Sequence, residues 1–283
     1  MWYNNSTEWG ARATPYGKKG KRGKTPPMHI MVFDTETTSI EKPFCYNVGY
    51  TIFNTETNEK VVKRDFVVEQ VWHNPMLFTT AYYADKREIY ISRMRLRKCL
   101  MDKWGYIMRQ MRSDIKAFEI EHAYAFNSPF DKGVFEYNCD WFKTLNPFDD
   151  VQIHDIRGYV HHYLAFTADY KQFCDNNKRY TEGGNYSTTA ETVFQYITQN
   201  TEFEEEHTAL ADSDIECDIL VECIRRGAEW NVDYKVYQSI PKEELREFIV
   251  VDTEGNHHSF PFARKRKMSN ADGVRLYALK REG

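Results

Sequence analysis

The apolar run His29-Ile30-Met31-Val32-Phe33 leads straight into Asp34-Thr35-Glu36, and this junction constrains the fold more than any other stretch of the chain. A short run of this kind reads as a buried strand. Side chains alternate along a strand, so Asp34 and Glu36 share one face at its C-terminal tip. Two carboxylates that close repel and raise each other's pKa unless a cation neutralises them, which suits a hard divalent metal with oxygen ligands. An isolated D-x-E pair is common, however, and alone it establishes nothing.

The segments around this junction alternate between strand and helix patterns. Residues 1 to about 27, rich in Gly, Asn, Lys and Pro, read as a flexible basic N-terminal arm. Tyr46 to Phe53 and Val61 to Val68, joined by the turn-forming 54–58, extend the first strand into an antiparallel meander. Lys86 to Phe118 is expected to be helical, with a snorkelling basic face. Glu121 to Phe126 reads as a strand, and Pro129 suits the first turn of a helix reaching about Asn138. Val151 to Ile156 reads as a further strand and Gly158 to Phe166 as a helix, with the rest of 157–186 unassigned. Thr188 with Glu191 makes a capping-box pattern, and a last helix is expected from about Glu206 to Arg226, stopped by Gly227. Glu247 to Val251 and Ser259 to Phe262 flank a turn-forming 252–256, a hairpin signal.

With 38 Lys and Arg against 42 Asp and Glu, the net charge of -4 does not advertise a polyanionic partner. Nucleic-acid affinity would have to come from local clusters such as Lys18 to Lys24 or Arg264-Lys265-Arg266-Lys267. The six cysteines show no C-x-x-C pair or metal-finger spacing, which predicts free thiols in a reducing, cytoplasmic setting. No apolar run is long enough for a membrane span.

Two further places bear on the carboxylate pair. Asp131 opens a helix directly after a strand, where α/β folds collect functional groups, although an acidic residue in a first turn is also favoured by the helix dipole. His207 and Asp212 sit near the start of the last helix, five residues and more than one turn apart. An imidazole so placed can reach a metal-bound water beside the carboxylate. His154, His161 and His162 lack matched carboxylate partners in the sequence and read as structural or surface residues.

In order, Phe33-Asp34-Thr35-Glu36-Thr37-Thr38, Asn127-Ser128-Pro129-Phe130-Asp131 and His207-Thr208-Ala209-Leu210-Ala211-Asp212 resemble the three motifs of the DEDDh 3′→5′ exonucleases, the superfamily of proofreading exonucleases and RNase T. The resemblance covers about residues 28 to 227 and implies an α/β fold: a ribonuclease H-like mixed β-sheet flanked by helices, here with helical insertions and a C-terminal β-hairpin extension. It divides the chain into the arm 1–27, an exonuclease domain 28–227 and an extension 228–283 of unknown role. It implies two Mg2+ or Mn2+ ions held by Asp34, Glu36, Asp131 and Asp212, with His207 as general base completing the catalytic set. Thr37, Ile40, Asn127 and Phe130 would touch the nucleic acid; where the family has Gly-Leu after the first motif, this chain has Ser39-Ile40.

The activity implied is hydrolysis of single-stranded nucleic-acid ends, DNA favoured, to nucleoside 5′-monophosphates. The partners implied are nucleic acid with a free 3′ end and a polymerase or other replication or repair protein. Two alternatives stand beside it: a 3′→5′ exoribonuclease of the same fold, which a 2′-hydroxyl contact would distinguish, and a non-catalytic nucleic-acid-binding or polymerase-accessory protein. The latter would be expected to have lost at least one of the five catalytic positions, and all five are filled here.

Overall fold

Antiparallel pairing of β1 (His29–Thr37), β2 (Cys45–Asn54) and β3 (Glu59–Val68) forms the expected meander. The computed structural model describes residues 29–78, 81, 84–242, 245–251 and 257–263. The arm 1–27, the hairpin turn 252–256 and the basic run 264–267 lie outside the described residues. After β3 come the short helices α1 (Glu69–Trp72) and α2 (Pro75–Phe78), a 3-10 turn Ala84–Lys86 and α3 (Arg87–Arg95). Next are β4 (Leu100–Asp102), α4 (Trp104–Ala117), β5 (His122–Ala125), α5 (Ser128–Phe142), β6 (Gln152–Asp155) and α6 (Ile156–Val160). A π turn, His161–Ala165, continues α6, and α7 (Ala168–Asn177), α8 (Ala190–Thr198) and α9 (Ala209–Arg225) follow. The hairpin strands β7 (Leu245–Val251) and β8 (His257–Ala263) pair antiparallel in a sheet of their own.

The main sheet has the order β4-β3-β2-β1-β5-β6, in which β5 runs parallel to β1 and β6 parallel to β5. This is the mixed, helix-flanked sheet of a ribonuclease H-like fold, with β4 added parallel to the edge of β3. β1 sits inside it, so both of its faces are covered. Met31 and Phe33 point into a core shared with Trp104, Met111 and Phe135 of α4 and α5. Ile30 and Val32 point into the opposite core, with Tyr159 of α6 and Leu220 of α9. By the same alternation Asp34 and Glu36 fall on the α9 side and Thr35 on the α5 side.

Several elements differ from the sequence reading. The helix expected over 86–118 is two helices separated by β4, because Arg97 turns the chain with φ 56° and Leu100–Asp102 then joins the sheet edge. Leu100, an apolar position of the expected helix, is 52% exposed on that edge. Thr189, not Thr188, caps α8 by accepting a hydrogen bond from the Thr192 N–H at 3.2 Å. α5 runs on to Phe142, and the unassigned stretch contains α7. α9 starts at Ala209, three residues later than expected, and stops where Gly227 adopts φ 103°. All six cysteines are free and buried, and no helix of the described residues is long and apolar enough to cross a membrane.

Candidate active site

The position of α9 decides the site, and a glycine makes that position accessible. Gly49 on β2 pairs directly opposite Asp34. A Cβ at Gly49 would lie 2.1 Å from the backbone of Ala209 and Leu210, so only glycine lets the first turn of α9 rest on the strand. A buried polar chain fastens that turn. The Ala209 N–H donates to Asn47 Oδ1 at 2.8 Å, and Asn47 Nδ2 donates to Asp65 Oδ1 at 2.7 Å. Arg93 on α3 pairs with Asp65 at 3.2 Å and donates to Glu206 and Thr208, each at 2.7 Å.

Asp212 thereby reaches the pair on β1. Asp34, Glu36 and Asp212 each offer a carboxylate oxygen within 4.8 Å of the other two. Asp131 arrives from the other layer: it is buried in the first turn of α5, where Thr35 Oγ1 donates to its Oδ1 at 2.7 Å. It lies outside the group of three, although the charge of Asp34 reaches it. His207 is not on the helix. It sits in the preceding loop with φ 53°, two residues ahead of Ala209, because Thr208 occupies the cap position. Its Nδ1 is 3.7 Å from the Glu205 carboxylate.

The residues expected to touch nucleic acid are spread around this cluster. Ile40 stands 84% exposed beyond the end of β1, and the Thr37 hydroxyl donates to the Ser39 carbonyl at 3.3 Å. Asn127, in the left-handed region with φ 68°, lines the cleft, while Phe130 packs against the α4–α5 core. The cleft holds about 460 Å³ and is lined by Asp34, Asp212, Glu216, Asn127, Arg157 and Gln238 among others. A larger hollow of about 660 Å³ beside α5 gathers no metal-ligand set among the described residues.

Several cleft residues were missed from sequence, Glu205, Glu216, Arg157 and Gln238 among them. Glu216 is fully buried one turn beyond Asp212, accepting the Phe126 N–H at 3.3 Å. Its i+4 spacing from Asp212 was the available signal, since that spacing keeps two residues on one helix face. Arg157 and Gln238 fall in segments for which the motifs give no guidance.

Electrostatics set the chemistry. Burial lifts Asp34 to about 7, and burial followed by the charges of Asp34 and Glu205 lifts Asp212 to about 9. Burial pushes Glu36, Asp131 and Glu216 well above the carboxylate range, with Asp34 the next cause for each. Asp212 Oδ1 is buried with no hydrogen-bond partner among the described residues. Crowded, desolvated oxygens of this kind fit divalent magnesium or manganese and lack the soft donors that favour zinc.

No family model matches this sequence, and no curated protein is similar to it in sequence. Solved structures of similar fold do exist. The nuclease domain of 3′hExo, a DEDDh family member, bound to rAMP matches with TM-score 0.44 and 13% identity, over 75% of this chain and 98% of that one. A 3′-exonuclease recognising the 3′ end of a histone mRNA stem-loop matches with TM-score 0.46 and 12% identity, over 87% and 95%. E. coli Exonuclease I in complex with a dA16 oligonucleotide gives TM-score 0.41 and 14% identity, over 69% of this chain and 40% of that one. In the order of its three motifs this chain resembles the DEDDh 3′-exonucleases. The DEDDh-like motifs fall at the tip of β1, at the start of α5 and on the loop into α9.

Proposed function

We propose that the protein is a metal-dependent 3′→5′ exonuclease acting on single-stranded nucleic-acid ends, DNA favoured. The observation that carries this reading is the meeting of Asp34, Glu36 and Asp212 oxygens within 4.8 Å in a partly buried cleft. Asp34, Glu36 and Asp212 would hold one ion, and Asp34 with Asp131 a second. Two divalent ions bound there supply Lewis-acid stabilisation to both the attacking and the leaving oxygen.

The protein's own residues do the rest. His207 takes a proton from the attacking water; burial, and then the charge of Lys86, lower its pKa and keep it neutral near physiological pH. The Glu205 carboxylate stands 3.7 Å from Nδ1, an ion-pair distance too long for a hydrogen bond. The His207 backbone N–H favours the charged form of Asp212, tying the base to the ligand cluster. Attack in line with the 3′ oxygen breaks the P–O3′ bond and releases a nucleoside 5′-monophosphate.

The test is incubation of the purified protein with 5′-labelled single-stranded DNA, RNA and duplexes in magnesium, manganese or EDTA, beside Asp34→Ala and His207→Ala. Metal-dependent laddering from the 3′ end that both variants lose is expected, with DNA cut faster than RNA. Intact substrates that still bind in a salt-sensitive way would sink the catalytic reading and leave a binding module.

A further inference from the structure

We propose that the face built by the π turn His161–Ala165, Phe166 and the strap 233–238 carries the single nucleic-acid strand that leads into the carboxylate cleft. The proposal rests on the exonuclease reading for its direction, and on separate residues for its substance.

At the mouth of the cleft stands Arg157. It lies among residues that include Asp34, Glu205, Asp212 and Glu216, and its charge reaches Asp155, yet among the described residues no carboxylate stands within ion-pair distance of its guanidinium. Its Nη1 instead donates to Asn127 Oδ1 at 2.7 Å, which fixes the planar fork. A cation held at an acidic cleft without a carboxylate partner matches a phosphate, whose oxygens accept from the fork two at a time.

From this mouth the contacts continue outward. Thr188 lines the cleft, and His161 Nε2 lies 3.4 Å from its hydroxyl. His161 Nδ1 accepts the Tyr237 N–H at 3.0 Å, and the neighbouring Gln238 lines the cleft as well. The Tyr237 ring meets Phe166 edge-on at 5.1 Å and His162 at 5.7 Å. Phe166 keeps 42% of its surface exposed beside that ring. Lys235 Nζ lies 5.0 Å from the Tyr237 ring centre and Lys171 Nζ 6.0 Å from that of Phe166. Of the acids near this face, Asp233 bonds His154 at 2.7 Å and Asp169 faces Tyr196 and Arg226, while Glu229 is exposed beside Tyr163 and Tyr234.

Exposed rings interleaved with cations are the chemistry of a single strand, whose bases stack while its phosphates meet the ammonium groups. The face is also preformed. A Cβ at Gly158 would lie 2.3 Å from the Tyr234 carbonyl oxygen, so the strap is locked onto α6 and little ordering remains to oppose binding.

The test is fluorescence anisotropy of the full chain in EDTA with a labelled oligothymidylate of about sixteen nucleotides. Phe166→Ala is expected to weaken binding about tenfold and Phe166→Trp to preserve it, since a base–ring stack is worth that much. The double variant Lys171→Glu, Lys235→Glu is expected to flatten the slope of log Kd against log salt by about 1.4, the value for two phosphate contacts on a single strand. With manganese present, the ratio of kcat/KM on the long strand to that on a dinucleotide falls about tenfold in Phe166→Ala. Unchanged affinity and salt slope in these variants would overturn the proposal. So would equal losses on long and short substrates, which mark a merely structural role. A wild-type protein that cuts nothing would defeat the exonuclease reading by itself, while the EDTA titration would still decide the track.

Discussion

At the scale of single residues, Asp212 joins two costs that metal binding would offset: a buried oxygen without a hydrogen bond and a charge beside Asp34. Asp212→Asn is expected to lower kcat about a thousandfold, the several kcal/mol that Lewis-acid stabilisation contributes. The same change should raise the thermal midpoint in EDTA at pH 8, because a carboxyl held near 9 in the fold must take up a proton there that the unfolded chain does not bind, and an amide need not; a lower midpoint would show that the carboxyl is held by unseen favourable contacts. His207→Ala is expected to cost about 10²- to 10⁴-fold in kcat, the range of general-base catalysis. The base must be neutral to act and its pKa is lowered by burial, so the acid limb of wild-type kcat should lie below about pH 6.5 and vanish in the variant. A pH–rate profile checks both statements. Asp34 and Glu36 were legible in the sequence because strand alternation fixes their shared face. Asp212 was legible only through its motif, and Glu216 only through its i+4 spacing from Asp212, a weak signal because a helix carboxylate is ordinarily a solvated residue.

At the scale of elements, the packing of α9 on β1 and β2 turns on Gly49, which the sequence gives as one glycine among 14. Its meaning comes from a contact 160 residues away along the chain, which no local pattern carries. Gly49→Ala would place a methyl group 2.1 Å from the Ala209 backbone, and backbone cannot rotate aside. Overpacking of this kind costs about 1 to 3 kcal/mol. The larger expected effect is on activity, because α9 can relieve the clash only by moving Asp212 away from Asp34. Urea denaturation and kcat measured together check this: a variant that keeps full activity at lowered stability would mean that the ligand set tolerates the shift. The meander and the parallel β5 and β6 were readable because their apolar runs are bounded by turns and carboxylates. The stretch 86–118 was misread because β4 spans only Leu100–Asp102, too short for a period of two to show against the helical pattern on either side. His207 was placed on a helix for a related reason: a motif fixes spacing in sequence, and the left-handed turn that ends the loop leaves no signature in residue type.

At the scale of the whole molecule, the groups proposed to bind metal oppose folding when metal is removed. Asp34 is raised to about 7 and Asp212 to about 9, each by burial first, whereas carboxylates in an unfolded chain titrate near 4. An acid whose folded pKa is raised binds more protons in the native state than in the unfolded state throughout that interval. The slope of stability against pH is then negative, so the favourable contribution is complete below about pH 4 and is lost as pH rises towards 9. Divalent cations bind the deprotonated native cluster and not the dispersed carboxylates of the unfolded chain, which stabilises the fold by about 2.7 kcal/mol at a hundredfold excess over Kd. In EDTA the thermal midpoint is therefore expected to fall by several degrees between pH 5 and pH 9, and magnesium or manganese should restore most of that fall at pH 9 while changing little at pH 5. In Asp34→Asn both the fall and the rescue should shrink, because the charge of Asp34 helps to raise Glu36, Asp131, Asp212 and Glu216. Scanning calorimetry at the two pH values, with and without metal, separates this from a general effect of pH on the fold. A midpoint that stays level in EDTA, or a metal rescue equal at both pH values, would mean that the carboxylates are neutralised by the protein itself and do not await a cation.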